Sequence, residues 1–311
     1  MRILYCLFSL LLASCANIPD SKMTDDPTVN RILVVNTNNS VERYRIAQVA
    51  FMETLKGSNI STLDLEKDNH PVDTLQDLLN KQSYDAIYCI GAKALGSIDY
   101  IDPDTPVVFS SVLNWRRFST QPNYYGVASE VAPGAQLTWF KYFFPETKKI
   151  GVIYSEKNQK LIHDVISSAD ELSVQIIAEE INYQGQLASK VKDLLPKVDA
   201  LWLISDPLVL ASTSNAKLLF ENAARQNIPV FSYNDFFIDM GAVLSISADL
   251  PTTGRQAALI VQNVTQNTAK QRSMVQFPAG SNISLNLKKV RTYKMKLNES
   301  ALDSVNRIVE E

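Results

Sequence analysis

The chain has 311 residues, of which 46% are hydrophobic and 20% are charged, and its formal net charge at pH 7 is -3. At about 100–200 residues per domain, this length predicts two domains, each with its own core, and the composition excludes disordered, collagen-like and fibrous proteins. A mildly acidic chain without a run of Lys or Arg lacks the charge pattern of nucleic-acid-binding proteins, so we expect no nucleic acid among its partners.

The first residues have the pattern of an export signal. Arg2 precedes an apolar run over residues 3–13, which is too short to span a hydrocarbon layer of about 30 Å but has the length of a signal-peptide core. Residues 12–15 (LASC) resemble a bacterial lipobox, and this resemblance implies that residues 1–14 are removed and that Cys15 carries the lipid. The alternative is an ordinary secretory signal with an incidental cysteine.

We expect the acyl chains on Cys15 to anchor the protein to a membrane, and the polar segment 15–30 to be a solvated tether. The same lipoprotein resemblance implies the outer membrane if the source is Gram-negative, because Ala16 stands where an aspartate would retain the protein at the inner membrane. The predicted location is therefore that of a periplasm-facing, membrane-anchored lipoprotein. Cys89 is then the remaining cysteine, so we expect no internal disulfide and an inert core thiol.

From residue 31 onward, short apolar runs alternate with helical patterns. The predicted strands cover residues 32–36, 62–65, 86–90, 107–110, 150–154, 174–177, 200–204, 230–232 and 243–247. The predicted helices cover residues 42–55, 72–82, 133–144, 159–172, 188–195, 212–226 and 253–267. Several strands are continuous Val, Ile and Leu runs, which are typical of parallel sheets covered on both faces. The alternation predicts βαβ units in an α/β architecture.

This strand pattern occurs twice along the chain. The matching segments are RILVVN at 31–36 with KIGVIY at 149–154, DAIYCIG at 85–91 with DALWLIS at 199–205, and PVVFS at 106–110 with PVFS at 229–232. The matches keep the same order at a nearly constant offset, so they predict two sibling lobes. Ligands of open parallel sheets bind beyond the carboxyl ends of the strands, and two such ends facing each other predict a ligand cleft.

Several stretches resemble the ABC transporter substrate-binding proteins of the tryptophan/tyrosine-binding type. They are TPVVF at 105–109, YGVAS at 125–129, FPETKKIGVIY at 144–154, VDAL at 198–201, NIPVF at 227–231, GRQAA at 254–258 and NLK at 286–288. The resemblance implies a type 1 periplasmic-binding protein fold, an α/β fold with two Rossmann-like lobes whose parallel sheets are joined by three crossovers, near Ser129, Asp249 and Pro278. It implies an N-terminal lobe of residues 31–128 and 250–277 and a C-terminal lobe of residues 129–249 and 278–311.

The residues that follow the predicted strands line the predicted cleft. The candidate ligand-binding residues are Asn36, Thr37, Asn38, Gly91, Ser110, Ser111, Trp115, Tyr154, Ser205, Asp206, Tyr233, Asn234 and Asp235. The family resemblance implies pocket positions at 110–111, 205–206 and 233–235. Neutral hydrogen-bonding groups with two carboxylates suit a small polar or zwitterionic ligand, and an amino-acid-like solute is favoured.

Several of these predictions have structural alternatives. Residues 36–40 are predicted to bind a ligand carboxylate, to cap the following helix, or both. Tyr154 and Tyr233 are predicted either to form aromatic walls for the ligand or to pack in the core with a solvated hydroxyl group.

Asp206 and Asp235 are predicted either to accept hydrogen bonds from a ligand ammonium group or to initiate a turn or cap a helix. Trp115, with Arg116 and Arg117, is predicted either to form a lid that stacks on the ligand or to anchor an exposed loop. The family usually has a different turn at this loop, so the ligand can differ from aromatic amino acids.

The sequence contains no metal-ligand spacing, phosphate-binding loop, dinucleotide fingerprint or nucleophile–base pair, so we expect no metal, no cofactor and no enzymatic activity. The resemblance implies a monomeric, lipid-anchored extracytoplasmic protein that captures a small-molecule ligand between its lobes and delivers it to an ABC permease. The alternative is an outer-membrane or periplasmic sensor lipoprotein that activates a partner with the same fold but without transport.

Overall fold

A computed structural model describes residues 30–101, 104–118, 121–266 and 274–310. The predicted signal peptide, the predicted lipidation site Cys15 and all but the last residue of the predicted tether lie outside the described residues. Within these ranges, strands and helices alternate along most of the chain.

The strands, in chain order, are β1 (Arg31–Asn36), β2 (Asn59–Asp64), β3 (Ala86–Ile90), β4 (Val107–Ser110), β5 (Tyr124–Val127), β6 (Lys149–Tyr154), β7 (Gln175–Glu180), β8 (Ala200–Leu203), β9 (Val230–Ser232), β10 (Leu244–Ala248), β11 (Val275–Gln276), β12 (Ser281–Asn286) and β13 (Arg307–Val309). The α-helices are α1 (Glu42–Thr54), α2 (Pro71–Lys81), α3 (Ala92–Ile101), α4 (Pro133–Phe143), α5 (Gln159–Glu171), α6 (Leu187–Leu194), α7 (Thr213–Arg225), α8 (Phe236–Asp239), α9 (Leu250–Gln266) and α10 (Leu287–Thr292).

The strands form two sheets, one in each lobe. The first has the order β11-β5-β4-β3-β1-β2, and the second has the order β13-β12-β10-β9-β8-β6-β7. Every pairing in the first sheet is parallel, whereas β12 runs antiparallel to β10 in the second. The α/β fold with two mainly parallel sheets is therefore confirmed.

The two sheets repeat one strand order, because β2-β1-β3-β4-β5 in the first lobe corresponds to β7-β6-β8-β9-β10 in the second. The sequence matches pair β1 with β6, β3 with β8 and β4 with β9, which are equivalent strands in this order. The central strands are apolar on both faces because helices cover both. All five residues of β3 and all four of β8 are buried, so their side chains supply the lobe cores.

The chain passes between the lobes three times. It leaves the first sheet after β5 and enters α4, returns between β10 and α9 at Asp249, and crosses again between β11 and β12. After its return, α9 packs on α1 of the first lobe, where Gly254 lies against the backbone carbonyl of Ala47. A Cβ at Gly254 would collide with that carbonyl, so the missing side chain allows the two helices to approach closely.

Several elements were not predicted from the sequence: β5, β11, β12, β13, α3, α8 and α10. Three of these strands have four residues or fewer, so their apolar patterns are short. The predicted strand at 62–65 is shifted from β2, and the one at 174–177 ends three residues before β7 does. Both β2 and β7 are edge strands, and an edge strand requires less apolar surface because it has one neighbour. Among the described helices, none is both long and apolar enough to cross a bilayer.

Candidate functional site

A small cavity lies between the two lobes, at the carboxyl ends of the sheets and next to the crossovers. Its volume is about 60 Å³, and its lining residues are Arg43, Ser111, Leu113, Ala128, Ser129, Asn234, Ala248, Leu250 and Thr253. Space of this size has room for a few water molecules or one small polar group, and ligand pockets are typically several times larger. A solute as large as an amino acid is larger than this space.

Arg43 brings a positive charge to this cavity from the second residue of α1. Its guanidinium donates a hydrogen bond to the Tyr44 hydroxyl at 3.0 Å and lies 4.8 Å from the centre of the Tyr44 ring. Among the residues that the structure describes, it pairs with no carboxylate. A cation without a counter-ion at an interlobe cavity suits a negatively charged ligand.

Ser111 follows β4 and has a left-handed backbone, with φ of 56°. Its Oγ is buried and has no hydrogen-bond partner within the described chain. The neighbouring Ser110 differs, because its Oγ lies 2.6 Å from the Tyr88 hydroxyl in the core. A buried hydroxyl group without a partner is unfavourable, so Ser111 is the serine of this pair that is available to a bound molecule.

The other predicted residues of the first lobe hold their own loop together. Asn36 donates to Gln48 at 2.7 Å and accepts from the backbone N–H of Asn38 at 3.0 Å. The Thr37 hydroxyl accepts from the Ala94 N–H in the first turn of α3. Gly91 has a φ of 89°, and a Cβ there would lie 2.5 Å from the Thr37 Oγ1. These residues do not line the small cavity; they shape the loops beside it.

In the second lobe, Asp206 is buried and accepts five hydrogen bonds from its own lobe. One carboxylate oxygen accepts from the Ser155 N–H, the Ser155 hydroxyl and the Asn158 amide at 2.7–2.9 Å. The other accepts from the backbone N–H groups of Leu208 and Val209 at 2.9 and 3.0 Å. These contacts favour the turn interpretation of Asp206, since both oxygens are already occupied.

Tyr233 lies between the lobes, where charges from both reach it. Burial raises the pKa of its hydroxyl to about 12, and the negative charge of Glu130 adds to this rise. A hydrogen bond with Ser205 and the positive charge of Arg43 act in the opposite direction and lower the pKa. Its neighbour Asn234 lines the cavity, and its Oδ1 accepts from the Phe236 N–H at 3.0 Å. The loop after β9 therefore brings the second lobe to the site.

Tyr154 and Asp235 are placed away from the cavity. Tyr154 packs against the core that covers α4 and α5, beside Glu180 of the neighbouring strand, and burial, together with that carboxylate, raises the pKa of its hydroxyl. Asp235 accepts a hydrogen bond from Arg307 at 2.9 Å, and its other oxygen is buried without a partner in the described chain. Neither side chain contributes to the cavity lining.

Trp115 and Arg116 are bound to the first crossover by hydrogen bonds to a buried carboxylate, that of Glu130. The Glu130 side chain accepts hydrogen bonds from the Trp115 indole at 3.1 Å, from Arg116 at 2.7 Å and from the Ser129 hydroxyl at 2.8 Å. The Arg117 guanidinium lies over the Phe118 ring at 4.4 Å. These contacts favour the interpretation of this loop as an anchor.

A groove of about 510 Å³ separates this loop from α5, and both lobes line it. Trp115 and Arg116 contribute from the first lobe, and Lys157 and Lys160 contribute from the second, while Phe277 belongs to the third crossover. Trp115 therefore faces a space at the side of the cleft, apart from the small cavity that Arg43 and Ser111 line.

Sequence reasoning missed Arg43, Ser129 and Thr253 of the cavity lining. One signal for Arg43 was present. A basic residue in the first turn of a helix opposes the helix dipole, which favours acidic side chains there, and such local conflicts often mark functional positions. Ser129 and Thr253 reach the cavity through the crossovers, which are set by the tertiary structure.

Comparison with solved structures finds the same fold in several bacterial proteins. The chain resembles an ABC domain from Streptococcus pneumonia in complex with L-Trp, at 18% identity, with a TM-score of 0.60 and coverage of 89% of this chain and 100% of that chain. It resembles a ligand-free, open substrate binding protein with adhesive properties from Clostridium difficile, at 16% identity, with a TM-score of 0.67 and coverage of 91% and 100%. A periplasmic ribose ABC transporter from Conexibacter woesei shares 10% identity, with a TM-score of 0.51 and coverage of 86% and 95%.

No curated protein matches the sequence. The sequence model of a family described as ABC transporter substrate binding protein matches residues 52–309, which is most of the chain. This match agrees with the two-lobed fold and with the polar interlobe cavity. The chain belongs to the ABC transporter substrate-binding protein family.

Proposed function

We propose that this protein is a lipid-anchored extracytoplasmic solute-binding protein that captures a small polar ligand between its lobes and delivers it to an ABC permease. The observation that carries the proposal is the polar cavity at the crossovers, because it takes Arg43 and Ser111 from one lobe and Asn234 from the other. A ligand held by groups from both lobes stabilises the arrangement in which they are close, and a permease can recognise that arrangement.

An amino-acid-like solute is the first ligand class to test. The similar Streptococcus structure is described as a complex with L-Trp, and the lining of neutral hydrogen-bonding groups and one cation suits a small polar molecule. The lipid anchor is supported by the sequence of residues 1–15. We expect the protein to face the periplasm as a monomer, at the outer membrane if the source is Gram-negative.

A thermal-shift panel of amino acids, peptides, sugars and purines tests the solute-binding role. A ligand at 100 times its Kd stabilises the folded protein by about 2.7 kcal/mol, which raises the melting temperature by several degrees. Fatty-acid labelling tests the lipid anchor: we expect the unmodified protein to carry the label and Cys15→Ala to lack it. If no solute raises the melting temperature while the unliganded protein binds a membrane partner, the sensor alternative replaces transport.

A further inference from the structure

The C-terminal strand β13 carries an arginine that is bonded to both ends of α8. The guanidinium of Arg307 donates from Nη1 to the Asp235 carboxylate at 2.9 Å and from Nη2 to the Asp239 carboxylate at 2.6 Å. Asp235 is the residue before α8, and Asp239 is its last residue. Because the guanidinium holds several donors in one rigid plane, a single side chain can bridge the two carboxylates.

The short helix α8 needs contacts of this kind. It has four residues, and a single helical turn is not stable by itself. Without Arg307, the carboxylates of Asp235 and Asp239 would repel each other, because they stand four residues apart. The Oδ1 atom of Asp235 is moreover buried without a partner in the described chain. Arg307 therefore compensates two like charges at the ends of the helix.

A row of small polar side chains lies beside this arginine on one face of the second sheet. Ser232, Ser245 and Ser284 are in register on neighbouring strands, and Arg307 follows next in the row. The three serines are at most 1% exposed, and α8 packs on β10 and β12, which carry two of them. Small polar side chains supply little apolar area to hold a helix, so we infer that the ion pairs of Arg307 hold α8 on this side.

The loop between β9 and α8 connects this helix to the interlobe cavity. Asn234 of this loop lines the cavity. Its Oδ1 accepts from the Phe236 N–H at 3.0 Å, and its carbonyl oxygen accepts from the Phe237 N–H at 3.2 Å. A displacement of α8 therefore moves Asn234, because the loop and the first residues of the helix share these hydrogen bonds.

We propose that Arg307 is a positioning residue that fixes Asn234 at the interlobe cavity through α8 and does not itself touch the ligand. The inference rests on the proposed function, because Asn234 brings a polar side chain of the second lobe to that cavity. Partly exposed ion pairs contribute little to global stability, and the Arg307 side chain is 40% exposed. The effect of Arg307 is therefore expected to be local to α8 and its loop.

Hydrogen–deuterium exchange of Arg307→Gln tests this local effect. The amides of Phe237 and Ala242 are hydrogen-bonded within α8 and the turn that follows it. We expect residues 236–242 to exchange about three- to tenfold faster, since two partly exposed ion pairs are lost. Residues 213–225 of α7 should be unchanged, and the melting temperature should fall by at most about 4 °C. Unchanged exchange at α8, or equally faster exchange in α7, would overturn the inference.

Two matched variants separate the bridge from a general effect of charge. A lysine ammonium can pair with one carboxylate but lacks the planar fork that spans both, so Arg307→Lys should give an intermediate exchange rate. Arg225→Gln removes an exposed arginine of the same lobe, whose described contact is Asn222 of its own helix. It should leave the exchange of α8 unchanged. Equal effects of Arg225→Gln and Arg307→Gln would overturn the inference.

Calorimetric titration with L-tryptophan, a member of the amino-acid panel, distinguishes this inference from the proposed function. We expect Arg307→Gln to weaken L-tryptophan binding severalfold, because Asn234 is no longer held at the cavity, and Arg307→Lys to recover part of the affinity. Full affinity together with faster exchange in Arg307→Gln would overturn the positioning role and leave solute binding intact. If the unmodified protein does not bind L-tryptophan, that result contradicts this ligand for the proposed function, whereas the exchange measurement still decides the role of Arg307.

Discussion

At the scale of single residues, the structure changes what Asp206 is expected to do. From the sequence, Asp206→Ala is expected to weaken binding of a zwitterionic ligand and to leave the fold intact. In the structure, the Asp206 carboxylate satisfies three backbone N–H groups and the side chains of Ser155 and Asn158. All of these donors belong to the same lobe as Asp206, so the carboxylate contributes chiefly to the stability of that lobe.

We therefore predict that Asp206→Ala lowers the free energy of unfolding by about 3–5 kcal/mol, because it leaves several buried donors unpaired. Urea denaturation measures the loss. Asp77→Ala is the control, since Asp77 is 68% exposed and pairs with Lys81 at the surface, where an ion pair contributes at most about 1 kcal/mol. Normal stability with lost ligand binding in Asp206→Ala would instead restore the ligand role.

At the scale of elements, the packing of α9 on α1 joins the returning chain to the first lobe. Gly254 of α9 lies against the Ala47 carbonyl, and an added Cβ would also lie 3.0 Å from the Ala50 Cβ. Gly96 of α3 is different, because an added Cβ there meets nothing within 4 Å. The two glycines are both helical, so their comparison separates packing from helix propensity.

We predict that Gly254→Ala lowers the free energy of unfolding by about 1–3 kcal/mol, since the helices must move apart to admit a methyl group. Gly96→Ala should leave stability unchanged or raise it by up to about 1 kcal/mol, because alanine favours the helix and the space is open. Chemical denaturation of both variants measures the difference. Equal effects of the two substitutions would show that the α1–α9 approach is not tight.

At the scale of the whole molecule, buried phenols and the buried thiol connect stability to alkaline pH. Burial raises the pKa of Tyr233 to about 12 and raises those of Tyr88 and Cys89 as well. Above about pH 9, the folded protein therefore holds protons that the unfolded chain releases, so the free energy of unfolding falls as the pH rises. Below the pKa values that these groups have in the unfolded chain, both states hold the protons, so the free energy of unfolding keeps its full value.

Urea unfolding at about pH 8, 10 and 11 tests this dependence, with Tyr233→Phe as the informative variant. The difference between the ordinary tyrosine pKa of about 10 and the value of about 12 in folded Tyr233 corresponds to a loss of roughly 2–3 kcal/mol in the free energy of unfolding by pH 12. The free energy of unfolding of Tyr233→Phe should therefore fall less steeply with pH than that of the unmodified protein. Tyr100→Phe is the control, because Tyr100 is 78% exposed. An unchanged slope in Tyr233→Phe would mean that its hydroxyl ionises equally in both states.

The amino-acid sequence by itself determined the α/β class and the duplication, because continuous apolar runs such as β3 and β8 are typical of covered parallel sheets. The three crossovers were expected from the family resemblance. The order of the apolar runs along the chain also identified Ser111 and Asn234 as residues beyond strand ends. The tertiary structure alone decided which of those residues meet. Arg43 comes from a helix and Thr253 from a returning crossover, and Asp206 is occupied by Ser155 and Asn158 about 50 residues earlier. Contacts between residues so far apart along the chain depend on tertiary packing within and between the lobes, which local patterns do not encode.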